Sequence, residues 1–238
     1  MSPEIRDIVF LDIETVAHHY DYSQLDERLK TQWARKAGFL KRDSGASDEQ
    51  LYHDRAGIYA EFGRVICIVV GRFAENDAGE LILRTKAYYG HDEKALLTDF
   101  KTMLDKLDPA TRLCAHNGKE FDFPYLCRRM LVNCIPLPAL LNLSGRKSWE
   151  VPHLDTMELW KFGDYKHYTS LDLLAAIFNI PTSKSDFDGS QVNALYHRED
   201  GLLKIRDYCL RDVVVLAQLF LKMKCIQLPN ELVVTTAS

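Results

Sequence analysis

Positive charge is scarce for a chain that would grip nucleic acid over a broad surface. Thirty Lys and Arg stand against 34 Asp and Glu, a formal net charge of −4, which argues against a large basic docking face. Long hydrophobic runs are missing as well. No apolar stretch approaches the ~18 residues of a membrane-spanning helix, so no membrane partner is expected. The 6 cysteines, at positions 67, 114, 127, 134, 209 and 225, contain no C-x-x-C pair, and no signal-peptide pattern precedes them. They read as reduced, mostly buried thiols in a cytoplasmic protein. Internal repeats and low-complexity tracts are absent too. What is present is core material: 47% apolar and 11% aromatic residues in 238. That composition excludes a disordered chain and suits one large domain, or one domain carrying an insertion.

The stretch Ile8-Val9-Phe10-Leu11-Asp12-Ile13-Glu14-Thr15 is apolar on both sides of the strand alternation, the mark of a strand buried on both faces of an α/β sheet. A polar excursion from Ala17 to about Phe62 follows. It has Leu25, Leu29, Trp33 and Ala37 at helical spacing, a loop signal at 41–45 and a weaker helix from Ser47. At roughly 45 residues it is marginal for a core of its own, and reads as a helical insertion at the sheet edge. Val65–Val70 and Leu81–Thr85, joined by Glu75–Gly79, form a β-hairpin that with the first strand makes an antiparallel start to the sheet. An amphipathic helix spans 92–107, a short strand 112–116 and a second helix follows Pro124. Residues 135–153 are irregular, Ser170 and Ser190 are expected helix caps, and Asp200 opens a long last helix to about Lys224. The strand–helix order reads as an α/β fold.

Carboxylates collect where apolar patterning does not call for them. Asp12 and Glu14 lie two residues apart on one strand, so they point to the same side and repel unless a cation sits between them. Asp212 falls inside the core stripe of the last helix, between Cys209 and Leu216, with Tyr208 one turn earlier on the same face. A lone buried Asp is expensive unless paired or metal-bound. Asp122 precedes a proline at a helix start, where N-capping is the ordinary role. A Tyr–Asp hydrogen bond in a core helix is the ordinary role for Tyr208 and Asp212.

In order along the chain, D-I-E-T at a central strand end, N-G-K-E-F-D before a helix and Y-C-L-R-D in the last helix resemble the three motifs of the DEDDy-type 3′–5′ exonucleases. The whole chain looks like the stand-alone relatives of the proofreading exonuclease domain of family-B DNA polymerases. Glu61–Cys67, His153–Asp155, Ser170–Asp172 and Lys184–Val192 are supporting stretches, and the 17–62 excursion matches least well. The resemblance implies a ribonuclease H-like fold, a mixed sheet flanked by helices, and two-metal hydrolysis of phosphodiesters from a 3′ end. Asp12, Glu14, Asp122 and Asp212 would hold two Mg²⁺ or Mn²⁺ ions, which suit oxygen ligands. Two such ions would bring the net charge to about zero. The carboxylates of Asp12, Glu14 and Asp212 are expected to converge within ~5 Å of one point, given metals about 3.5–4 Å apart.

Tyr208 would orient the attacking water. Its ordinary pKa near ~10 makes it a poor base at neutral pH. His116 and His167 are tempting as bases, because the sister branch of this superfamily uses histidine, but the corresponding position holds Tyr208. Thr15, Asn117, Phe121 and Lys184 are candidate contacts to the 3′ end of single-stranded DNA or RNA, with DNA favoured. Lys147, Lys161, Lys166 and Arg128 are further candidates for phosphate. A DNA-repair setting fits such an enzyme. Two alternatives use the same fold: a ribonuclease H-type endonuclease and a catalytically silent binding module. Protein partners are not legible.

Overall fold

A computed structural model describes residues 3–40, 45–164, 168–182, 187, 189–227 and 232–237. A one-turn helix α1 (Pro3–Arg6) leads into β1 (Ile8–Ala17), followed by α2 (Glu27–Leu40) and α3 (Asp48–Arg55). Strands β2 (Gly63–Glu75) and β3 (Leu81–Tyr89) form the hairpin, and α4 (Glu93–Leu104) returns the chain to β4 (Arg112–Ala115). Then come α5 (Asp122–Val132), β5 (Leu154–Asp155), α6 (Thr156–Lys161), α7 (Leu171–Ile177), α8 (Val192–Tyr196), α9 (Gly201–Met223) and β6 (Val233–Ala237).

The six strands lie in the order β5-β4-β1-β2-β3-β6. β2 runs antiparallel to both β1 and β3, whereas β4 and β5 continue parallel to β1 on its other side. This is the mixed sheet flanked by helices that the resemblance implies. β6, parallel to β3 and exposed along its length, was not anticipated. Val233–Thr236 are β-branched and favour a strand, but they lack inside–outside alternation, and their order comes from the ladder to β3.

Strand alternation divides the core between the two faces of the sheet. Ile8, Phe10 and Val16 of β1 pack with Val69 and Phe73 against Ile205, Cys209, Val213 and Phe220 of α9. Val9, Leu11 and Ile13 face the other way, towards Leu97 and Phe100 of α4 and Leu126 and Met130 of α5. Both faces of β1 are therefore covered, which explains its nearly continuous apolar run.

Residues of the 17–62 excursion build a smaller cluster at the far end of β1. Trp33, Ala37, Leu51 and Tyr52 pack there on Ala17 and Phe62, and the Trp33 indole donates to the Asp48 carbonyl at 2.8 Å. Ser170 caps α7 as expected, its side chain accepting from the Leu173 amide, and Ser47 caps α3 by accepting from the Gln50 amide. At α8 it is Gln191, not Ser190, that occupies the capping position, after a turn of 3₁₀ helix at Gly189–Gln191. All six cysteines are free. Among the described residues, no helix is long and apolar enough to cross a membrane.

Candidate active site

β1 carries the first two carboxylates to the α9 side of the sheet. Glu14 pairs with Cys67 across the ladder, Thr15 with Val65, and the register slips between them, leaving Ile66 over as a bulge. Bulges turn the strand and re-aim its side chains. Beyond the slip, a strap formed by residues 56–63 crosses the end of β1. The Thr15 and Tyr125 hydroxyls both donate to the Gly57 carbonyl at 2.8 Å. Gly63 has to be small, since a Cβ would stand 2.2 Å from the Tyr125 hydroxyl.

A buried ion pair pins this strap. Arg129 on α5 holds Glu93 of α4 through Nε–Oε1 at 2.9 Å and Nη2–Oε2 at 2.6 Å, and its third arm donates to the Ala60 carbonyl. Glu93 Oε1 also accepts the Val65 amide at 2.7 Å. Each charge thus has its partner and further hydrogen bonds, the condition for burying both.

Asp122 reaches β1 from the opposite side. β4 pairs with β1 only as far as Phe10–Cys114, which leaves the edge of β1 open beyond that point. Asp122, the first residue of α5, accepts hydrogen bonds there from the Ile13 amide as well as from its own. The N-cap position belongs to Phe121, whose side chain makes no capping bond.

The loop leading to α5 is held by a residue of one of the supporting stretches, His153–Asp155. Asp155, buried, accepts the amides of Asn117 and Lys119 on one side and of Met157 and Glu158 on the other. Asn117 adopts φ 65°, a conformation Asn tolerates better than most. Gly118 is obligatory because a Cβ would lie 2.4 Å from that of Ala115.

Asp212 and Tyr208 arrive on α9, joined by a hydrogen bond from the phenol to the carboxylate. Cys209 arrives with them. One carboxylate oxygen each from Asp12 and Glu14 and the Cys209 sulfur lie within 4.8 Å of one another. Cys209 thus joins the two β1 carboxylates at close range. Asp212 and Asp122 still act electrostatically on both β1 carboxylates.

The electrostatics follow from crowding acids out of water. Burial first, then Asp122 and Asp212, push the Asp12 carboxyl well above the usual carboxylate range. Glu14, 8% exposed, is raised by burial and then by Asp12. Burial lifts Asp122 to about 7 despite the two amide donors. It lifts Asp212 to about 6, against the opposing effects of Tyr208 and Arg211. Tyr208 is pushed above its ordinary value by burial and by the neighbouring Asp212 and Glu14.

Four acidic groups crowded out of water, each with its carboxyl raised above the usual range, fit a site for divalent cations. The carboxylate oxygens suit Mg²⁺ or Mn²⁺. The buried Oδ1 of Asn117, which has no hydrogen-bond partner among the described residues, adds one more oxygen acceptor on the Asp122 loop.

Phe121 is half-buried and packs on Tyr125 with ring centroids 5.3 Å apart. His116 is engaged at both nitrogens, with Thr156 Oγ1 at 2.9 Å and the Thr169 carbonyl at 2.8 Å, a structural role as expected. Lys184, Lys166 and His167 lie outside the described residues. Arg128 is exposed, and Lys147 lies over the Trp149 ring at 5.0 Å.

Two aromatic residues were missed. Tyr168, 67% exposed, feels Asp122 and Asp12 after burial. Phe187 packs on Tyr208 with centroids 5.1 Å apart. Both stand in polar loop sequence, where no periodicity marks an aromatic residue as part of a site. Cys209 had a signal, since it stands three residues before Asp212 on the same helix face.

No curated protein matches the chain in sequence. The fold is shared with a family B DNA polymerase from the hyperthermophilic archaeon Pyrobaculum calidifontis, at 14% identity and a TM-score of 0.55 over 90% of this chain. This chain spans only 24% of that polymerase. The likeness establishes the ribonuclease H-like architecture. Residues 58–231 match the family of predicted 3′–5′ exonucleases related to the exonuclease domain of PolB, a range that includes Asp122, Tyr208 and Asp212 and begins after Asp12 and Glu14. With well over half its length matched, the chain belongs to that family of predicted 3′–5′ exonucleases related to the PolB exonuclease domain.

Proposed function

We propose that this protein is a metal-dependent exonuclease that removes nucleotides from the 3′ end of single-stranded nucleic acid, DNA in preference to RNA. The observation that carries this reading is the crowding of Asp12, Glu14, Asp122 and Asp212 around the end of β1, each with its carboxyl raised above the usual range. Asp12, Glu14, Asp122 and Asp212 would hold two Mg²⁺ or Mn²⁺ ions. Such ions, when bound, activate water and stabilise the entering and leaving oxygens of an in-line displacement at phosphorus. Tyr208 orients the attacking water through its hydroxyl. The same burial that raises its ionisation disqualifies it as a base near neutral pH.

Thr15, Asn117, Phe121 and Lys184 are proposed contacts to the terminal nucleotide, with Phe121 stacking on a base. We read residues 1–238 as one exonuclease domain with a helical insertion at about 17–62. A cytoplasmic setting agrees with six free thiols, and DNA repair is the process such an activity would serve.

The test is degradation of 3′-labelled single-stranded DNA and RNA, with Mg²⁺ and with Mn²⁺, beside a circular single strand. Mononucleotides should be released from the linear 3′ end while the circle stays intact. Cutting of the circle would mean an endonuclease. Intact linear strands with either ion would leave a binding module and end the exonuclease reading.

A further inference from the structure

Cys209 reads from the sequence as one more core residue of α9, yet its sulfur meets a charged group. Sγ lies 3.3 Å from Asp12 Oδ2 and 3.5 Å from the Asp12 carbonyl, with Cys209 wholly buried. Cys67, opposite Glu14 in the ladder, is hydrogen-bonded to Cys209. Two thiols thus lie beside the two β1 carboxylates on their buried side. Asp122 and Asp212 act on Asp12 from other elements. An aspartate facing three other acids is repelled by all of them. It will turn away about its side-chain torsions unless something on the buried side holds it. A thiol has one proton to donate, and a carboxylate is the strongest acceptor within its reach.

We propose that Cys209 is a positioning residue for the cation site, its thiol holding the Asp12 carboxylate in the conformation that meets a divalent ion together with Glu14. The inference rests on the metal-dependent reading above and deepens it. Hydrogen-bond partners that orient a ligand carboxylate change metal affinity about 10–100-fold.

The experiment is titration of the whole protein with Mn²⁺ alone, followed by the electron paramagnetic resonance signal of the free ion, in wild type, Cys209→Ala and Cys209→Ser. Thermal melts in chelator monitor folding. Cys209→Ala should weaken Mn²⁺ binding about 10–100-fold, and Cys209→Ser, which keeps a donor, should recover most of that loss. The two variants should melt at similar temperatures. Wild-type affinity in Cys209→Ala would overturn the proposal, as would equal weakening in Ala and Ser, which would make side-chain volume the cause. A wild type that binds no Mn²⁺ sinks this proposal and the metal-dependent reading together. Alanine-sensitive Mn²⁺ binding in a protein that leaves 3′ ends intact would sink the exonuclease reading and leave Cys209 in this role. An active exonuclease with unchanged affinity in Cys209→Ala would do the reverse.

Discussion

Asp122 should make the metal-free protein less stable at neutral pH than in mild acid. Its carboxyl is raised from 3.8 to about 7 by burial, partly offset by its own amide and that of Ile13. A carboxyl that holds its proton more tightly folded than unfolded favours folding in full below the unfolded pKa, and loses that contribution as pH rises through the folded one. One pKa unit corresponds to about 1.4 kcal/mol, so the whole effect is on the order of 4 kcal/mol. Between pH 5 and 8, about 2–3 kcal/mol of it disappears, which is about 5–10 °C in Tm for a chain of this size.

Asp122→Asn abolishes the titration and keeps an acceptor for the Ile13 amide. The measurement is calorimetric Tm in chelator for wild type and Asp122→Asn at pH 5 and pH 8. His116 and His153, whose pKa values burial lowers, titrate alike in both proteins and cancel in the difference. The variant should gain about 5–10 °C on wild type between the two pH values. Mn²⁺ should restore the wild type at pH 8 and do far less at pH 5, where protons already occupy the carboxyls. A Tm difference that is the same at both pH values would refute the reasoning.

Three other outcomes follow from the same geometry. Asp12→Ala should abolish hydrolysis of a 3′-labelled strand while its Tm in chelator equals or exceeds wild type, because a buried repulsion is removed; retained turnover would count against the site. Tyr208→Phe should fold normally and slow the chemical step by about 10 to 1,000-fold, the scale of one positioned hydrogen bond. The rising limb of its pH–rate profile should persist in the phenylalanine variant, and loss of the limb would make Tyr208 the base. Arg129→Met should cost about 3–5 kcal/mol by stranding Glu93 among the strap residues, and a denaturant midpoint close to wild type would contradict that reading of the pair.

Much of the fold was legible because its elements are local and periodic. β1 announces itself by apolar residues on both faces, and a period of two is enough to put Asp12 and Glu14 on one side. Helical spacing likewise puts Tyr208 one turn from Asp212, and the hydrogen bond between them is there. The hairpin and the Ser170 cap follow from turn and capping chemistry that acts within a few residues, and α9 from its apolar stripe. Tertiary structure decided what has no period. It set Cys209 against Asp12, 197 residues away, and closed Arg129 on Glu93 across 36. It gave Asp155 four amides from two segments, and paired β6 with an edge strand about 150 residues earlier. Such contacts depend on how packed elements are placed relative to one another. A buried thiol or carboxylate takes whatever partner that placement brings within reach, and nothing in its own neighbourhood along the chain names the partner.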